Sequence, residues 1–400
     1  MLFLWLLADI YVFQAIKVVT ESPYIIWGYW LLDGMLALGV FYFIVSGKLP
    51  LGLPKSIYWG LVVVSVIPKL IVVPILLMED IVRVGGLAVQ WVGSMVGSST
   101  EQMQLASRRR FVSQLALGMS AVPLFGLVYG LIKGKYDYQV RRIRLKFKDL
   151  PDAFDGFTIT QLSDIHSGSF DSPADVKRGV ELVNKQKSDL LLFTGDLVNN
   201  RADEMDPWMT TFSTLAAPFG KFSILGNHDY GDYIAWESSM AKLSNLQRLK
   251  EVHKEIGFRL MLNENIKIKK DGQHIVLIGV ENWGKGGFHK YGDLPKATAH
   301  VDDADFKILM SHDPSHWEAQ TLNHDKHIHL TLSGHTHGMQ FGIEIPGFKW
   351  SPIKYVYPQW AGVYRKMNKF LYVNRGFGFL GYPGRVGILP EITVITLEKG

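Results

Sequence analysis

Five short groups that contain histidine, aspartate or asparagine occur between residues 164 and 337. Side chains of these three types are common ligands of divalent metal ions, through nitrogen and oxygen. The groups are Asp164-Ile165-His166, Gly195-Asp196, Gly226-Asn227-His228-Asp229, Ser311-His312-Asp313 and Gly334-His335-Thr336-His337. The chain has no cysteine, which excludes disulfide bonds and thiolate ligands. Any metal ion must therefore be held by imidazole, carboxylate, amide or backbone oxygen.

Each group alone has an ordinary structural explanation. An Asp-x-His sequence is most often a surface loop, a Gly-Asp sequence is usually a turn, and histidines two residues apart can lie on a polar strand face. All five groups would have to follow strand ends in order by chance, which argues against a purely structural origin for the set. The set therefore predicts one chemically active site.

Short apolar runs precede the five groups and are predicted to be strands. They cover residues 157–162, 190–193, 222–225, 306–310 and 327–332. Helical stretches at 174–187 and 237–256 alternate with the first runs, whereas later strand-like runs follow one another, at 275–280, 371–374 and 392–397. This order predicts an α/β sandwich of two sheets with helices outside. Because strand ends direct side chains into a shared crevice, the five groups are expected to meet there.

Taken in order, the five groups resemble the calcineurin-like metallophosphoesterase superfamily over about residues 157–397, and none departs from its pattern. Three further segments resemble the bacterial membrane-associated or exported branch: Gly156-Phe157, Arg375-Gly376 and Pro390-Glu391-Ile392-Thr393. The resemblance implies a four-layer α/β/β/α sandwich and metal-dependent hydrolysis of phosphoric esters.

The resemblance also implies a role for each matching residue. The first metal ion would be held by Asp164, His166, Asp196 and His337. The second would be held by Asp196, Asn227, His312 and His335, with Asp196 bridging the two ions. His228 would stand beside the metals rather than bind them. Independently of the resemblance, a histidine at this position can protonate the leaving oxygen, and the adjacent Asp229 can orient its imidazole.

The chemistry of phosphate esters agrees with these roles. Their negative oxygens repel nucleophiles, and two divalent ions about 3.5–4 Å apart relieve this repulsion. Such ions also lower the pKa of bound water, so that a hydroxide bridging them is available near neutral pH. The mixed ligand set suits Mn, Fe or Zn better than Ca, and we expect Mn²⁺ to support activity in vitro. No side-chain nucleophile is needed, so direct attack of water with inversion at phosphorus is predicted.

Two arginines and one aromatic segment near the C-terminus are weaker candidates. Arg375 and Arg385 are interpreted either as forked donors that grip a substrate phosphate or as surface charges. Residues 376–382 are interpreted either as a lipid-contacting loop near the site or as ordinary core.

The first third of the chain has the composition of a membrane region. The whole sequence is 48% hydrophobic and only 20% charged, against about 25% charged in soluble domains. Residues 1–133 are predicted to form three to five spans, four on our count: 24–46, 57–78, 111–132 and a shorter one at 2–19. Residues 81–97 are predicted to be an interfacial or re-entrant helix, or a fifth span.

Two charged residues lie deep inside the predicted spans. Asp33 and Lys69 fall at matching depths of an antiparallel hairpin, and an isolated charge there is costly, so we predict that they pair. The alternative is that Lys69 extends to the interface and Asp33 is protonated.

Residues 134–155 are predicted to be a basic linker with an entry strand, and residues 156–400 the catalytic domain. The net charge is +5, and the basic residues cluster at 108–110 and 133–148, on either side of an apolar segment. This placement favours an anionic membrane surface over a nucleic-acid partner. The sequence from Ser107 to Val112 resembles a twin-arginine export signal, which would place the catalytic domain outside the cytoplasm. The basic residues from 133 to 144 favour the opposite side. We expect an integral protein of the cytoplasmic membrane with an extracytoplasmic catalytic domain.

The predicted function is hydrolysis, at the membrane, of a phosphodiester, phosphomonoester or pyrophosphate, including a lipid-linked one. Some members of the superfamily split a UDP-linked acylated sugar at its pyrophosphate, and that substrate would fit a cytoplasmic site. The alternative is a non-catalytic membrane scaffold or sensor that keeps the fold, which the complete set of ligands argues against. A transporter is disfavoured because the spans are few and show no inverted repeat.

Overall fold

The computed structural model describes residues 2–47, 55–95, 105–287 and 289–400, and the chain divides into two compact units, Met1–Leu131 and Ile132–Gly400. The described part of the N-terminal unit is helical. Its helices are α1 (Leu2–Val19), α2 (Pro23–Ser46), α3 (Lys55–Met95) and α4 (Leu105–Ile132). Three segments within α2, α3 and α4 are long and apolar enough to cross a membrane: Pro23–Ser46, Ile57–Met95 and Arg108–Ile132. The N-terminal unit is therefore a helical membrane region.

The ends and contacts of these helices follow from the sequence. α2 starts with a proline in its first turn and ends before Gly47, which has a φ of 68°. Both are typical helix boundaries, because proline has no N–H to lose there and glycine tolerates the left-handed conformation. Val12 of α1, Val72 of α3 and Ala116 of α4 share one buried cluster, so α1 packs within the same unit.

Helix α3 is continuous where the sequence predicted a span followed by a separate interfacial helix. Its 41 residues include Pro68 and Pro74 and, at about 1.5 Å per residue, extend for about 61 Å. This is about twice the thickness of the apolar core of a bilayer, so part of α3 must run beyond a single perpendicular crossing. Residues 96 and 97 of the predicted second helix lie outside the described residues.

The polar side chains of the membrane unit gather around Lys69. Its ammonium group donates to Asp33 at 2.8 Å and to Ser65 at 2.8 Å, and it also binds Asp9 of α1. The charged side chains are all less than 10% exposed. The predicted pair of Asp33 and Lys69 is confirmed, and Asp9 extends it to a triad.

One arginine of the export-like sequence belongs to a second polar network. The guanidinium of Arg109 lies 3.1 Å from Asp80 of α3 and 3.3 Å from Gln14 of α1. Asp80 also binds Arg83 at 2.6 Å. Arg109 therefore links three helices of the membrane unit.

The C-terminal unit is built on two mixed sheets of six strands each. The first has the order β1-β14-β2-β3-β4-β5 and the second β12-β13-β9-β8-β7-β6, and β10 and β11 form a separate hairpin. The strands are β1 (Gln139–Phe147), β2 (Thr158–Leu162), β3 (Leu190–Phe193), β4 (Lys221–Ser223), β5 (Arg259–Leu260), β6 (Glu264–Lys270), β7 (Gln273–Gly279), β8 (Lys307–Met310), β9 (Leu330–Ser333), β10 (Ile343–Ile345), β11 (Phe348–Trp350), β12 (Gly362–Lys366), β13 (Lys369–Val373) and β14 (Glu391–Lys399). The α-helices are α5 (Pro173–Asn184), α6 (Met209–Ser213), α7 (Ser239–Glu255), α8 (Leu294–Ala297) and α9 (Ser315–Ala319).

The layers follow from which face of each strand is apolar. In β3, Leu190 and Leu192 join the core between the two sheets, whereas Leu191 and Phe193 join a second core that includes α5 and α7. A third cluster lies between the outer face of the second sheet and α8. A strand buried on both faces has a continuous apolar sequence, which is why β3 was predictable. The predicted four-layer α/β/β/α sandwich is confirmed.

The segment predicted to be a linker contains the entry strand. β1 pairs in parallel with β14 from Gln139 to Phe147, so it is an edge strand of the first sheet. The first strand of the C-terminal unit thus pairs with its last strand.

Candidate metal centre

The five groups follow the carboxyl ends of five strands. β2, β3 and β4 are parallel neighbours in the first sheet, and they lead to Asp164, Asp196 and Asn227. β8 and β9 are parallel neighbours in the second sheet, and they lead to His312 and His335. Parallel strands end at the same edge of a sheet, so the groups that follow the strands of one sheet lie side by side at that edge.

The backbone of the groups is held in an uncommon conformation. Asp164, His166, Asp196, His335 and His337 have φ values between 48° and 70°, in the left-handed region that residues other than glycine rarely adopt. Such a conformation costs about 1–3 kcal/mol per residue and persists where neighbouring structure imposes it. Here the N–H of Asp164 donates to Gly195 O and that of His166 donates to Asp196 O. The interlocked loops therefore maintain the strained conformation and aim the side chains.

Asp164, His166 and His337 form the first cluster of ligand atoms, which lie within 4.8 Å of one another. His337 Nε2 lies 3.4 Å from Asp164 Oδ1. His166 Nδ1 faces Asn199 Oδ1 at 3.1 Å, whereas its Nε2 is buried without a hydrogen-bond partner. A buried imidazole nitrogen without a partner is the atom that a metal ion would satisfy.

Asp196, His312 and His335 form the second cluster, again within 4.8 Å. His312 Nε2 lies 3.1 Å from Asp196 Oδ2, and His312 Nδ1 lies 2.7 Å from Thr194 O. Asn227 Oδ1 lies 3.2 Å from His312 Nε2 and 2.8 Å from His335 Nδ1. Asn227 therefore joins this cluster through its amide oxygen.

Asp196 connects the two clusters. Its Oδ2 lies 3.5 Å from His166 Nε2 of the first cluster as well as 3.1 Å from His312 Nε2 of the second. The structure thus brings together all seven predicted ligands, with one carboxylate between two groups of imidazoles. Imidazole, carboxylate and amide donors in this arrangement fit two divalent transition-metal ions.

The electrostatics of the site favour bound cations. Burial lowers the pKa of His166 to about 3, so its imidazole is neutral and its lone pair is available. Burial alone would lower the pKa of His312, but the Asp196 carboxylate raises it to about 10. Burial alone would likewise raise the pKa of Asp196, but His312 lowers it well below its usual value. The carboxylates therefore stabilise positive charge at this position.

His228 lies beside the clusters, as predicted. Its ring packs edge-on against His166, with centroids 4.9 Å apart, and stacks on Tyr233 at 4.4 Å. His228 Nδ1 lies 2.8 Å from Asn199 O. This carbonyl accepts the proton on Nδ1, which directs Nε2 away from Asn199.

Asp229 does not orient His228. Its carboxylate is fully buried and accepts from the backbone N–H groups of Asp196, Leu197, Val198 and Gly226, at 2.8–3.3 Å. The adjacent position in the sequence suggested a contact with His228, but the turn after β4 directs Asp229 into the neighbouring loop. Asp229 therefore holds together the loops that follow β3 and β4.

Arg375 and Arg385 are neither surface charges nor exposed phosphate donors. Arg375 is 2% exposed and binds Glu391 at 2.6 Å and Glu344 at 2.7 Å. Arg385 is fully buried and donates to backbone carbonyls, including those of Arg375 and Gly378. Both guanidinium groups are directed into the protein, so they stabilise the segments beside the site.

The aromatic segment that follows Arg375 is core. Phe377 and Phe379 are fully buried, and Phe377 stacks on Tyr138 at 4.4 Å. Of the two interpretations of residues 376–382, the structure therefore selects ordinary core for these two phenylalanines.

Two positioning residues were not predicted from the sequence. Asn199 contacts both His166 and His228, and it follows the Gly195-Asp196 group by three residues, a spacing that offered a signal. Tyr357 OH lies 2.9 Å from His335 Nε2 and donates to Asp313 at 3.3 Å. Tyr357 had no signal, because it follows the last group by 20 residues and carries no motif.

A cavity of about 370 Å³ opens beside Asn227. Its lining residues are Asn227, Tyr230, Asp232, Tyr233, Asn282, Gly287, His289 and Tyr291. Asn282 is 2% exposed, and its Oδ1 has no hydrogen-bond partner. The cavity therefore offers aromatic surface and a buried carbonyl next to the second cluster.

Two family descriptions match the chain, one for each unit. Residues 1–135 match a probable calcineurin-like phosphoesterase transmembrane domain, and residues 157–339 match the calcineurin-like phosphoesterase domain.

Curated relatives occur in bacteria and in animals. The chain is 31% identical to the metallophosphoesterase YkuE of Bacillus subtilis over 304 residues, which cover 74% of this chain and 99% of YkuE. It is 26% identical to the phosphodiesterase YaeI of Escherichia coli over 300 residues, 73% of this chain and 100% of YaeI. It is 28% identical to a transmembrane protein with metallophosphoesterase domain of Danio rerio over 76% of this chain and 66% of that protein.

Proposed function

Because the chain belongs to the calcineurin-like metallophosphoesterase family, we propose that it hydrolyses a phosphodiester at the membrane surface with two divalent metal ions. The observation that supports this most directly is the position of Asp196 between two clusters of buried ligand atoms. A scaffold that had lost catalysis would not need a complete ligand set and a histidine beside it.

The proposed ligands fall into two sets that share Asp196. Asp164, His166 and His337 would hold one ion with Asp196, and Asn227, His312 and His335 would hold the other with Asp196. When bound, the ions supply charge neutralisation for the phosphoryl oxygens and activation of the attacking water. The ligand chemistry supports Mn, Fe or Zn, and we propose Mn²⁺ for reconstitution.

His228 is the proposed proton donor to the leaving alcohol oxygen. Its Nδ1 is engaged by Asn199 O, so Nε2 is the atom that exchanges a proton with the substrate. The stacked Tyr233 ring limits rotation of the imidazole. Asn199 thus takes the orienting role that was predicted for Asp229 from the sequence.

The cavity beside Asn227 supports a diester over a pyrophosphate. No lysine or arginine belongs to its described lining, and the Asp232 carboxylate there is paired with Lys242. A second phosphate group would therefore meet no lysine or arginine of the described lining, whereas an alcohol or amine could donate to Asn282 Oδ1 and pack on Tyr291. We propose that the cavity takes one alcohol group of the diester, including that of a lipid headgroup.

The test uses the full chain in detergent, stripped of metal and reloaded with Mn²⁺. Turnover of a chromogenic phosphodiester and a phosphomonoester is compared among wild type, Asp196→Asn and His228→Asn, with bound metal counted by mass spectrometry. Asp196→Asn should lose bound metal and turnover together. His228→Asn should keep both ions and lose about 10²–10⁴-fold in turnover, the contribution of a positioned acid.

His274→Asn is the matched control, because His274 pairs with Asp305 at 2.8 Å and belongs to neither cluster. It should retain wild-type metal content and turnover. Metal-independent turnover, or full activity in Asp196→Asn, would refute the mechanism. Two bound ions without turnover of either ester would favour the scaffold.

We further propose an extracytoplasmic catalytic unit, supported by the export-like sequence in the first turns of α4. Alkaline phosphatase and green fluorescent protein are fused separately after Gly400. Active phosphatase without fluorescence is expected. A fluorescent fusion with inactive phosphatase would place the unit in the cytoplasm instead.

A further inference from the structure

The separate hairpin β10–β11 reverses the usual placement of polar and apolar side chains. Its strands pair with the register Ile343↔Trp350, Glu344↔Lys349 and Ile345↔Phe348. Residues opposite one another share a face and neighbours alternate. One face of the hairpin therefore carries four apolar side chains, and the other carries Glu344 and Lys349.

The polar face is directed into the protein. Glu344 binds Arg141 at 2.7 Å and Arg375 at 2.7 Å. Lys349 donates to Ala361 O at 2.5 Å, and its ammonium lies 5.6 Å from the centre of the Trp360 ring. The charged side chains of the hairpin thus have internal partners.

The apolar face is directed outward. Ile345 is 59% exposed and Phe348 is 53% exposed. Tyr355 and Val356, just after the hairpin, are more than 70% exposed. We call Ile343, Ile345, Phe348, Tyr355 and Val356 the apolar patch. A group of exposed apolar side chains in one short segment marks an interaction site, and a two-stranded hairpin is marginally stable in water without a partner.

The charges around the patch identify the partner. Between residues 339 and 356, Lys354 is exposed, whereas Lys349 donates to Ala361 O and Glu344 is neutralised by its two arginines. Exposed aromatic and aliphatic side chains accompanied by lysine suit the headgroup layer of an anionic bilayer. The chain carries its own candidate membrane spans, so a bilayer is part of its surroundings.

We infer that the apolar patch inserts into the headgroup layer of an anionic membrane and docks the catalytic unit on it. Two residues near the patch in the sequence contact the segment that carries His335 and His337. Ser351 Oγ donates to Gly338 O, next to His337, at 2.8 Å, and Tyr357, next to Val356, lies 2.9 Å from His335 Nε2. Docking therefore brings a phosphoester at the lipid surface close to the ligands, a consequence for the substrate that rests on the proposed function.

The absence of native cysteine permits a direct test of docking in the full chain. Phe348→Cys and Ile345→Cys are labelled with an environment-sensitive nitrobenzoxadiazole dye and reconstituted into nanodiscs of phosphatidylcholine and phosphatidylglycerol. Lys269→Cys is the control, because Lys269 is an exposed residue of β6, at the opposite edge of the second sheet from β12. Quenching by a lipid-borne spin label is compared with quenching by iodide in solution.

Labels at positions 345 and 348 should emit further to the blue than the label at 269 and should be quenched by the lipid-borne spin label. The effect should weaken in salt and in nanodiscs of phosphatidylcholine alone. Equal quenching by iodide at all three positions would overturn the proposal. Protection from both quenchers would also overturn it, because the patch would then be covered by protein.

A second measurement separates docking from the proposed function. Ile345→Ser with Phe348→Ser should keep wild-type turnover of a soluble chromogenic diester and lose turnover of a diester lipid in the same nanodiscs. Leu243→Ser, which removes another exposed apolar side chain, should change neither rate. Equal loss on both esters would contradict docking. If wild type hydrolyses neither ester, the proposed function fails, and the fluorescence result still decides docking.

Discussion

Lys69→Met should be among the most destabilising substitutions in the membrane unit. Lys69 binds Asp9 of α1 and Asp33 of α2. Tyr29 donates to Asp9 at 3.1 Å, and Ser65 donates to Asp33. Neither hydroxyl supplies a positive charge, so methionine would leave two carboxylates buried and uncompensated.

The magnitude follows from how many charges each substitution leaves without a partner. Removing one member of a buried ion pair costs about 3–5 kcal/mol. Lys69→Met affects two carboxylates whose side chains are at most 6% exposed, so its cost should lie at the upper end. Asp33→Asn leaves the pair of Lys69 with Asp9 intact and should cost only about 1–3 kcal/mol, the scale of a lost buried polar partner.

The assay is unfolding of the full chain in mixed micelles by titration with sodium dodecyl sulfate, followed by the circular dichroism of the helices. The informative variant combines Lys69→Met, Asp9→Asn and Asp33→Asn, which removes every charge of the triad. Replacing a complete buried charge group by neutral side chains is often close to neutral, so the triple variant should be more stable than Lys69→Met alone. Arg144→Met is the control: Arg144 is 77% exposed, and its pair with Glu398 should contribute less than about 1 kcal/mol.

Two results would contradict this prediction. If the triple variant is as unstable as the sum of its single variants, the three charges do not interact. If Lys69→Met costs no more than the Arg144 control, the ammonium group reaches water and the triad is not buried.

Three further predictions concern the catalytic unit. Gly334→Ala should release bound metal, measured by mass spectrometry, because a Cβ there would lie 1.9 Å from Ser163 Oγ. Tyr357→Phe removes the hydroxyl that lies 2.9 Å from His335 Nε2 and should weaken metal affinity about 10–100-fold in competition with a chelator. Burial lowers the pKa of His253 from 6.5 to about 3, so below pH 6.5 the unfolded chain binds a proton that the folded chain does not. The stabilisation from burying neutral His253 is therefore complete above pH 6.5. Between pH 6.5 and about pH 3 the free energy of unfolding falls by about 1.4 kcal/mol per pH unit. His253→Phe should flatten the dependence of melting temperature on pH.

The parts predicted from the sequence carry their signal locally. β3 is a continuous apolar run, and Gly195, two residues after its end, has a φ of 95° that only glycine adopts easily. Each ligand group follows such a strand directly, so its position needed no knowledge of tertiary contacts. The pairing of Asp33 with Lys69 was predictable for a related reason, because membrane thickness fixes the depth of both residues.

The parts that were missed depend on partners far away in the sequence. Arg375 looked exposed because charged side chains usually are, but Glu344 and Glu391 approach it from other segments. The hairpin β10–β11 was missed because its strands have three residues each and their polar side chains point inward. Asp229 follows His228 directly, yet the backbone after β4 turns it towards another loop.

Asp229 and Arg385 explain how strained loops remain in place around the metal centre. The loops after β3 and β4 direct N–H groups inward, and the buried carboxylate of Asp229 accepts from four of them. The loops around His337 and Gly378 direct carbonyl groups inward, and the buried guanidinium of Arg385 donates to five of them. Burial lowers the pKa of Arg385 to about 10, which still leaves it charged near neutral pH. An apolar side chain at either position would strand several buried backbone groups, each costing about 1–3 kcal/mol. A buried carboxyl group and a buried guanidinium therefore stabilise opposite sides of one site, each matched to the backbone groups that surround it.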